Sequence, residues 1–397
     1  MLGSILNVTF SCFVVVLVFT CSRWAQPKTS KTVFVALLYA WYATTGIWAA
    51  TTKKLETRIE AEKIDLFPST SFWLTLLPQV MSFACMSVLM LCKRLTDGSS
   101  TSDSMTASQH WQTWCIAGMG FFFGQLFTVE GLGAGAPGLV FGVKVLEPLS
   151  TSLLAIPVLG QRCNCYLLAA IVVACAGIAV AVVGAHRSSH VPQSALGACK
   201  VILVSALANL GFSVRACIVK NAYSQRALAP LEIFGRVNAT ATLAGTLMLV
   251  LWLLYLAAQP HSGASLAVIL KELGSGPWDW FSTCLCYFLY QCSSILLLEC
   301  LFVESHALLV ALKHVFVVIV ASVLSGSYLN TQMIIGVGVA SAGVFFYAVS
   351  PAEEGAATAL LPHQDKINDL LGGMPRALCF TVLALGSVGI VSPFLYM

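Results

Sequence analysis

"VFGVKVLEPLSTSLLAIPVLGQ" (140–161) and "LVALKHVFVVIVASVLSGS" (309–327) decide how this chain is read. Each is an apolar run with a lysine near its start, Lys144 in one and Lys313 in the other. Each leads through a tight turn into a second apolar run carrying Ala-Gly, "LLAAIVVACAGIAVAVV" (167–183) and "MIIGVGVASAGVFFYAV" (333–349). An ammonium at the centre of a bilayer costs about 2.5–3.5 kcal/mol on insertion scales. Two lysines at matching places therefore ask for a common cause. Upstream, "AWYATTGIWAATTKKL" (40–55) resembles "NLGFSVRACIVKNAY" (209–223), and each opens a set of five apolar stretches. An odd number of spans per set makes the two sets opposite in orientation. Inverted repeats enclosing a midplane site are a transporter architecture.

Composition agrees. Of 397 residues, 58% are hydrophobic and 10% charged, against roughly 25% charged in a soluble domain. The mean hydropathy is +0.86. The chain reads as an all-α polytopic membrane protein with no block polar enough for a separate soluble domain. The net charge of +4 includes no basic tract suited to nucleic acid. The fifteen cysteines are scattered through apolar runs, and none has zinc spacing. No metal and no cofactor is expected.

A span needs about 20 apolar residues. Stretches near 5–22, 33–52, 70–92, 111–132, 135–158, 164–185, 197–219, 232–257, 277–299, 304–327, 331–349 and 377–396 qualify or nearly do. The expectation is a ten-helix 5+5 core over 33–350, with repeats 33–185 and 197–350 and one extra hydrophobic segment at each end. Residues 1–32 read as a signal peptide, a signal anchor or an extra helix. A polar linker, 351–376, precedes an extra C-terminal transmembrane helix at 377–397. The sequon "NVT" (7–9) falls inside the first apolar stretch and carries little weight. Lys and Arg are in modest excess on the side of the 23–32 segment, which the positive-inside rule places in the cytosol, against the cluster Lys53, Lys54, Arg58 and Lys63.

Lys144, Arg215 and Lys313 are the basic residues well inside spans, and Glu130, Glu147 and Glu299 the acidic candidates. Such groups face a bundle interior or an aqueous cavity. Lys144 and Glu147, three apart, share a helix face, and mutual neutralisation is one reading of that pair. It leaves three cations from three helices, which call for an anion. Phosphate fits best, since it accepts several charge-assisted hydrogen bonds. Gln125 and Thr128, one turn apart, either donate to a substrate oxygen or are satisfied by packing. Tyr290 either lines the site or packs. There is no HExxH, G-x-S-x-G or Asp-rich cluster, so no catalytic class is indicated.

Four stretches in order carry a family resemblance. "WYATTGIWAATTKKL" looks like a WY…KK first-helix pattern. "GQLFTVEGLG" followed by "VKVLEP" is similar to GHxxTN…VKAxEP. "NLGFSVRACIVK" resembles NxxFxxRxxxxK. "YQCSSILLLE" followed by "SHALLVALKH" resembles YNQ…LE…THSVGNxxKR. These are patterns of the triose-phosphate translocator family, within the drug/metabolite transporter superfamily, and the resemblance covers about 33–350. It implies an antiporter that exchanges a phosphorylated metabolite for inorganic phosphate by alternating access. Lys144 and Lys313 would then hold phosphate from opposite halves. Arg215 would meet the substrate's other anionic end or support the cavity. Thr128 and Tyr290 would contact the carbon skeleton. His314 stands where the family has a phosphate-binding Arg, and Gln125 where it has His. Relatives carrying nucleotide sugars tend to have Lys-Thr there and to lack the KxxEP form. This chain keeps Lys144 with Glu147-Pro148, and Tyr290, which favours a phosphorylated metabolite and leaves a nucleotide-sugar or nucleotide monophosphate antiporter of the secretory pathway as the alternative. A non-transporting receptor or scaffold is the lesser one. The apolar N-terminus suits a Golgi, endoplasmic reticulum or plastid-related membrane. Membrane lipid is an expected partner and nucleic acid is not.

Overall fold

The computed structural model describes residues 31–61, 69–97, 111–135, 137–159, 165–188, 195–224, 230–257, 277–300 and 331–349, together with 310, 313, 314, 317 and 318. The N-terminal segment 1–30, the linker with its C-terminal helix, and the side chain of Glu299 lie outside the described residues.

Every described element is a helix: α1 (Lys31–Ala61), α2 (Thr70–Asp97), α3 (Trp111–Ala134), α4 (Pro137–Lys144), α5 (Glu147–Leu159), α6 (Cys165–Ser188), α7 (Ala195–Ser224), α8 (Pro230–Ala257), α9 (Pro277–Cys300) and α10 (Thr331–Val349). Among the described residues there is no strand. Hydrocarbon offers no partner for a backbone N–H or C=O, so helices that bond internally are the viable solution for apolar runs this long. Among the described residues, six stretches are long and apolar enough to cross a membrane. Hydroxyls inside them are absorbed by their own helix. Thr44 donates to the Ala40 carbonyl at 2.6 Å, Thr45 to Trp41 at 2.6 Å and Thr75 to Ser71 at 2.8 Å. Large apolar side chains such as Leu203, Leu210, Leu243 and Leu251 stay exposed on the outside of α7 and α8, where lipid would cover them.

The stretch 135–158, expected as one span, is two helices. Val145 and Leu146 form a turn between α4 and α5. Pro148 has no N–H, so the Lys144 carbonyl loses its usual donor four residues on. Val145 N–H is shared between the Phe141 and Gly142 carbonyls at 3.1 and 3.3 Å, and Leu146 N–H tightens onto the Val143 carbonyl at 3.1 Å. Asn209 of α7 adds a side-chain donor to that Val143 carbonyl at 2.9 Å. Discontinuous helices at a midplane site recur in secondary transporters.

Packing follows small residues. The helices α3 and α7 run antiparallel in extensive contact, and a Cβ on Gly120 would stand 2.8 Å from the Gly211 carbonyl oxygen. The other extensive pair is α1 with α9. Between α6 and α10 the backbones themselves touch, so that a Cβ on Gly177 would lie 2.6 Å from the Gly336 oxygen. Without a hydrophobic drive between helices in lipid, such close approach is a main source of association.

At the end where α1 and α3 finish and α2, α7 and α9 begin, polar groups tie the helices. The Lys53 ammonium donates to the Leu132 and Gly133 carbonyls at 2.7 and 3.2 Å. Those are among the last carbonyls of α3, which have no intrahelical donor. Arg58 and Lys54 reach Asp279 of α9 at 3.3 and 3.5 Å, and Lys200 of α7 reaches Glu130 of α3 at 2.8 Å. Glu56 is only 3% exposed among them. One of its oxygens accepts from Ser71 at 3.4 Å, and the other is buried without a hydrogen-bond partner.

Candidate anion-binding site

The break between α4 and α5 places Lys144 at the end of one helix and Glu147 at the start of the next. The Lys144 ammonium, in a side chain 5% exposed, stands 3.8 Å from Glu147 Oε2. It donates to Thr128 Oγ1 at 3.2 Å and lies 4.1 Å from the centroid of the Phe212 ring. The Thr128 hydroxyl proton goes to the Gly124 carbonyl at 2.8 Å. Its oxygen is therefore the acceptor for Lys144, and in this arrangement Thr128 has no proton to give a ligand.

From far along the chain, His314 is 1% exposed, with Nε2 3.4 Å from Glu147 Oε2 and its ring stacked on Phe141 at 5.9 Å. His314 Nδ1 is buried without a hydrogen-bond partner. Lys313, 8% exposed, holds its ammonium 4.7 Å from the Trp41 ring centroid. Glu147 thus serves both Lys144 and His314, and the neutralisation weighed for the Lys144–Glu147 pair is present. Among the described residues it is incomplete, because one carboxylate faces two ammonium groups. A cation over an aromatic face gains about 0.5–2 kcal/mol. That eases the two lysines and leaves their charge uncompensated.

Further along α3, Gln125 Oε1 accepts from the Tyr290 hydroxyl at 3.1 Å, and that hydroxyl accepts from Gln291 Nε2 at 2.7 Å. Gln125 Nε2 is buried with no hydrogen-bond partner. Tyr290 is walled by Trp48 and Tyr287, each 5.3 Å away between ring centroids. Arg215 lies 4.4 Å from the centroid of Phe121, which stacks on Tyr287 at 6.5 Å and meets Phe212 at 6.1 Å. Lys144, Lys313, His314, Arg215, Thr128, Tyr290, Gln125 and Glu147 therefore belong to one connected set.

The sequence reading misses the aromatic seats Trp41, Phe212 and Phe121, and the wall residue Trp48. Their signal is faint: Trp41 and Trp48 are seven apart on α1, two turns along one face. Among the described residues no cluster of His, Cys, Asp or Glu could hold a metal ion. What the set offers is a buried surplus of positive charge with neutral donors beside it, the chemistry of an anion site.

The model of the Triose-phosphate Transporter family matches residues 32–348. No match is found among curated proteins. Among solved structures, one crystal structure aligns with 17% identity and a TM-score of 0.43, covering 78% of this chain and 95% of that chain.

Proposed function

This chain belongs to the triose-phosphate transporter family, and from that premise we propose that it exchanges a phosphorylated metabolite, a triose phosphate or other sugar phosphate, for inorganic phosphate by alternating access. Members of that family are multi-pass membrane transporters. The finer reading rests on one observation, the reciprocal seating of the lysines. Lys144 of the first half rests on Phe212 of the second, and Lys313 of the second rests on Trp41 of the first.

Other contacts support a 5+5 inverted core. Exchanging the first span with the sixth and the third with the eighth turns the α3–α7 contact into the α9–α1 contact. The α2–α8 and α6–α10 contacts map onto themselves. On this reading the spans run from 33 to 350, the extra hydrophobic ends lie outside the core, and the membrane is of the Golgi, endoplasmic reticulum or a plastid.

The mechanism follows from charge. With no anion bound, two lysines share Glu147, and closing both sides around the surplus would bury it. Phosphate supplies the missing negative charge and permits the switch, so each half-cycle carries an anion. Lys144 and Lys313 hold the phosphate, Arg215 meets a second anionic group, and Tyr290 and Gln125 face the carbon chain. The test is counter-exchange by purified protein in liposomes preloaded with phosphate, triose phosphate, hexose phosphate or a nucleoside monophosphate. Uptake as fast into empty vesicles as into loaded ones would overturn obligatory exchange. A preference for the nucleoside monophosphate would overturn the sugar-phosphate reading in favour of nucleotide-sugar exchange.

A further inference from the structure

Two buried donors near Tyr290 have no acceptor. Trp48 is 2% exposed, and its indole N–H has no hydrogen-bond partner. The Gln125 amide nitrogen is in the same position, and its orientation is fixed. The Tyr290 hydroxyl receives a hydrogen bond from Gln291, so its own proton goes to the Gln125 oxygen and the nitrogen faces elsewhere. Buried indole and amide donors in native proteins are nearly always paired. Two open donors flanking one tyrosine call for an acceptor.

Their placement says which acceptor. Trp48 lies two turns along α1 from Trp41, the seat of Lys313, or about 10 Å. Gln125 lies one turn along α3 from Thr128, the partner of Lys144, or about 5 Å. The ammonium groups are the strong partners for phosphate oxygens. The neutral donors, displaced from them, suit an uncharged oxygen on a short carbon chain.

We propose that Trp48 is a specificity-determining residue, whose indole N–H donates together with the Gln125 amide to a carbonyl or hydroxyl oxygen of the substrate's carbon chain. This rests on the phosphate-exchange reading and names the feature that sets an oxygenated phosphoester apart from a plain one. The ring of Trp48 also forms the wall beside Tyr290, so the test must separate the N–H from the ring. Trp48→Phe keeps an aromatic wall and removes the donor.

Full-length protein in phosphate-loaded liposomes is assayed for phosphate homoexchange in competition with dihydroxyacetone phosphate or with n-propyl phosphate. The two esters are close in size, and only the first has oxygen on its chain. Wild type should favour dihydroxyacetone phosphate. Trp48→Phe should weaken that ester roughly three- to tenfold, the worth of one neutral hydrogen bond, and leave n-propyl phosphate nearer its wild-type inhibition constant. If the gap between the esters is unchanged, or both weaken together, Trp48 acts as a wall and the proposal fails. Should the variant not exchange, thermal stabilisation of the purified variant by the two esters gives the same comparison. A wild type that exchanges phosphate without discriminating the esters sinks this proposal alone. A wild type with no phosphate homoexchange sinks the underlying reading as well.

Discussion

Glu56 gives a prediction whose size can be worked through. It lies beyond the apolar run of the first span, at the polar end of α1, and its carboxyl is packed against Gly133 of α3. Burial pushes its pKa up from 4.5 to about 8. Lys53 pulls it down, Glu60 and Glu130 push it up, and the Ser71 hydroxyl pulls it down. Lys53 gives little relief because its ammonium is engaged by the α3 carbonyls. The folded state therefore binds this proton more tightly than the unfolded chain. Stability from the neutral carboxyl is fully present below about pH 4.5 and is lost as pH rises toward 8. At about 1.4 kcal/mol per unit, the whole swing is on the order of 5 kcal/mol, with about 3 of it already gone at neutral pH. Glu56→Gln keeps the shape and the acceptor for Ser71 and removes the titration. The measurement is thermal unfolding of wild type and variant in detergent from pH 5 to pH 9, read as a difference so that other titrating groups cancel. The variant should pull ahead as pH rises, by several kcal/mol at the alkaline end. Parallel profiles would refute the reasoning, because the carboxyl would then be hydrated or paired in the folded protein.

Other outcomes are expected. Lys144→Ala and Lys313→Ala should each lower phosphate exchange by on the order of a hundredfold, as loss of a charge-assisted contact in a dry site does, while size-exclusion profiles stay intact. A scaffold would show no transport phenotype to lose. His314→Arg should tighten phosphate binding in exchange assays, since Arg is charged at every pH and presents a planar fork to phosphate. A phosphate inhibition constant unchanged from wild type would take His314 out of the site. Gly177→Val should destabilise strongly, because its side chain would meet the α10 backbone, whereas Gly338→Ala has open space and should be tolerated. Unfolding temperatures of the two variants check this.

Some of this was visible in the residues alone. Lys144, Lys313 and Arg215 stand out because a charge in an apolar run has a cost that packing does not explain. The Lys144–Glu147 pair follows from helical spacing. The aromatic seats do not stand out, because Trp41 and Phe212 are ordinary members of apolar spans until a lysine from a distant part of the chain lies over them. The sharing of Glu147 with His314 depends on how distant helices meet, which no local pattern encodes. Pro148 is plain in the sequence, yet the apolar run across it reads as one span, since hydropathy does not register a missing N–H. Glu56 reads as part of a polar helix end, and only the packing of α1 on α3 shows that it is buried.

The break between α4 and α5 has an electrostatic consequence of its own. A helix carries partial negative charge at its C-terminus and partial positive charge at its N-terminus. Lys144 closes α4 and Glu147 opens α5, so each ionised group sits at the helix pole that favours its sign. The contact between them at 3.8 Å is thus not the sole support of either charge. On the proposed function, an arriving anion would draw Lys144 away and leave Glu147 on its own pole, with His314 beside it. A continuous helix through the same residues would have no free poles there, and separating the pair would strand both charges. On that proposal, the interruption at Val145 and Leu146 lets a buried ion pair open and close with each anion carried.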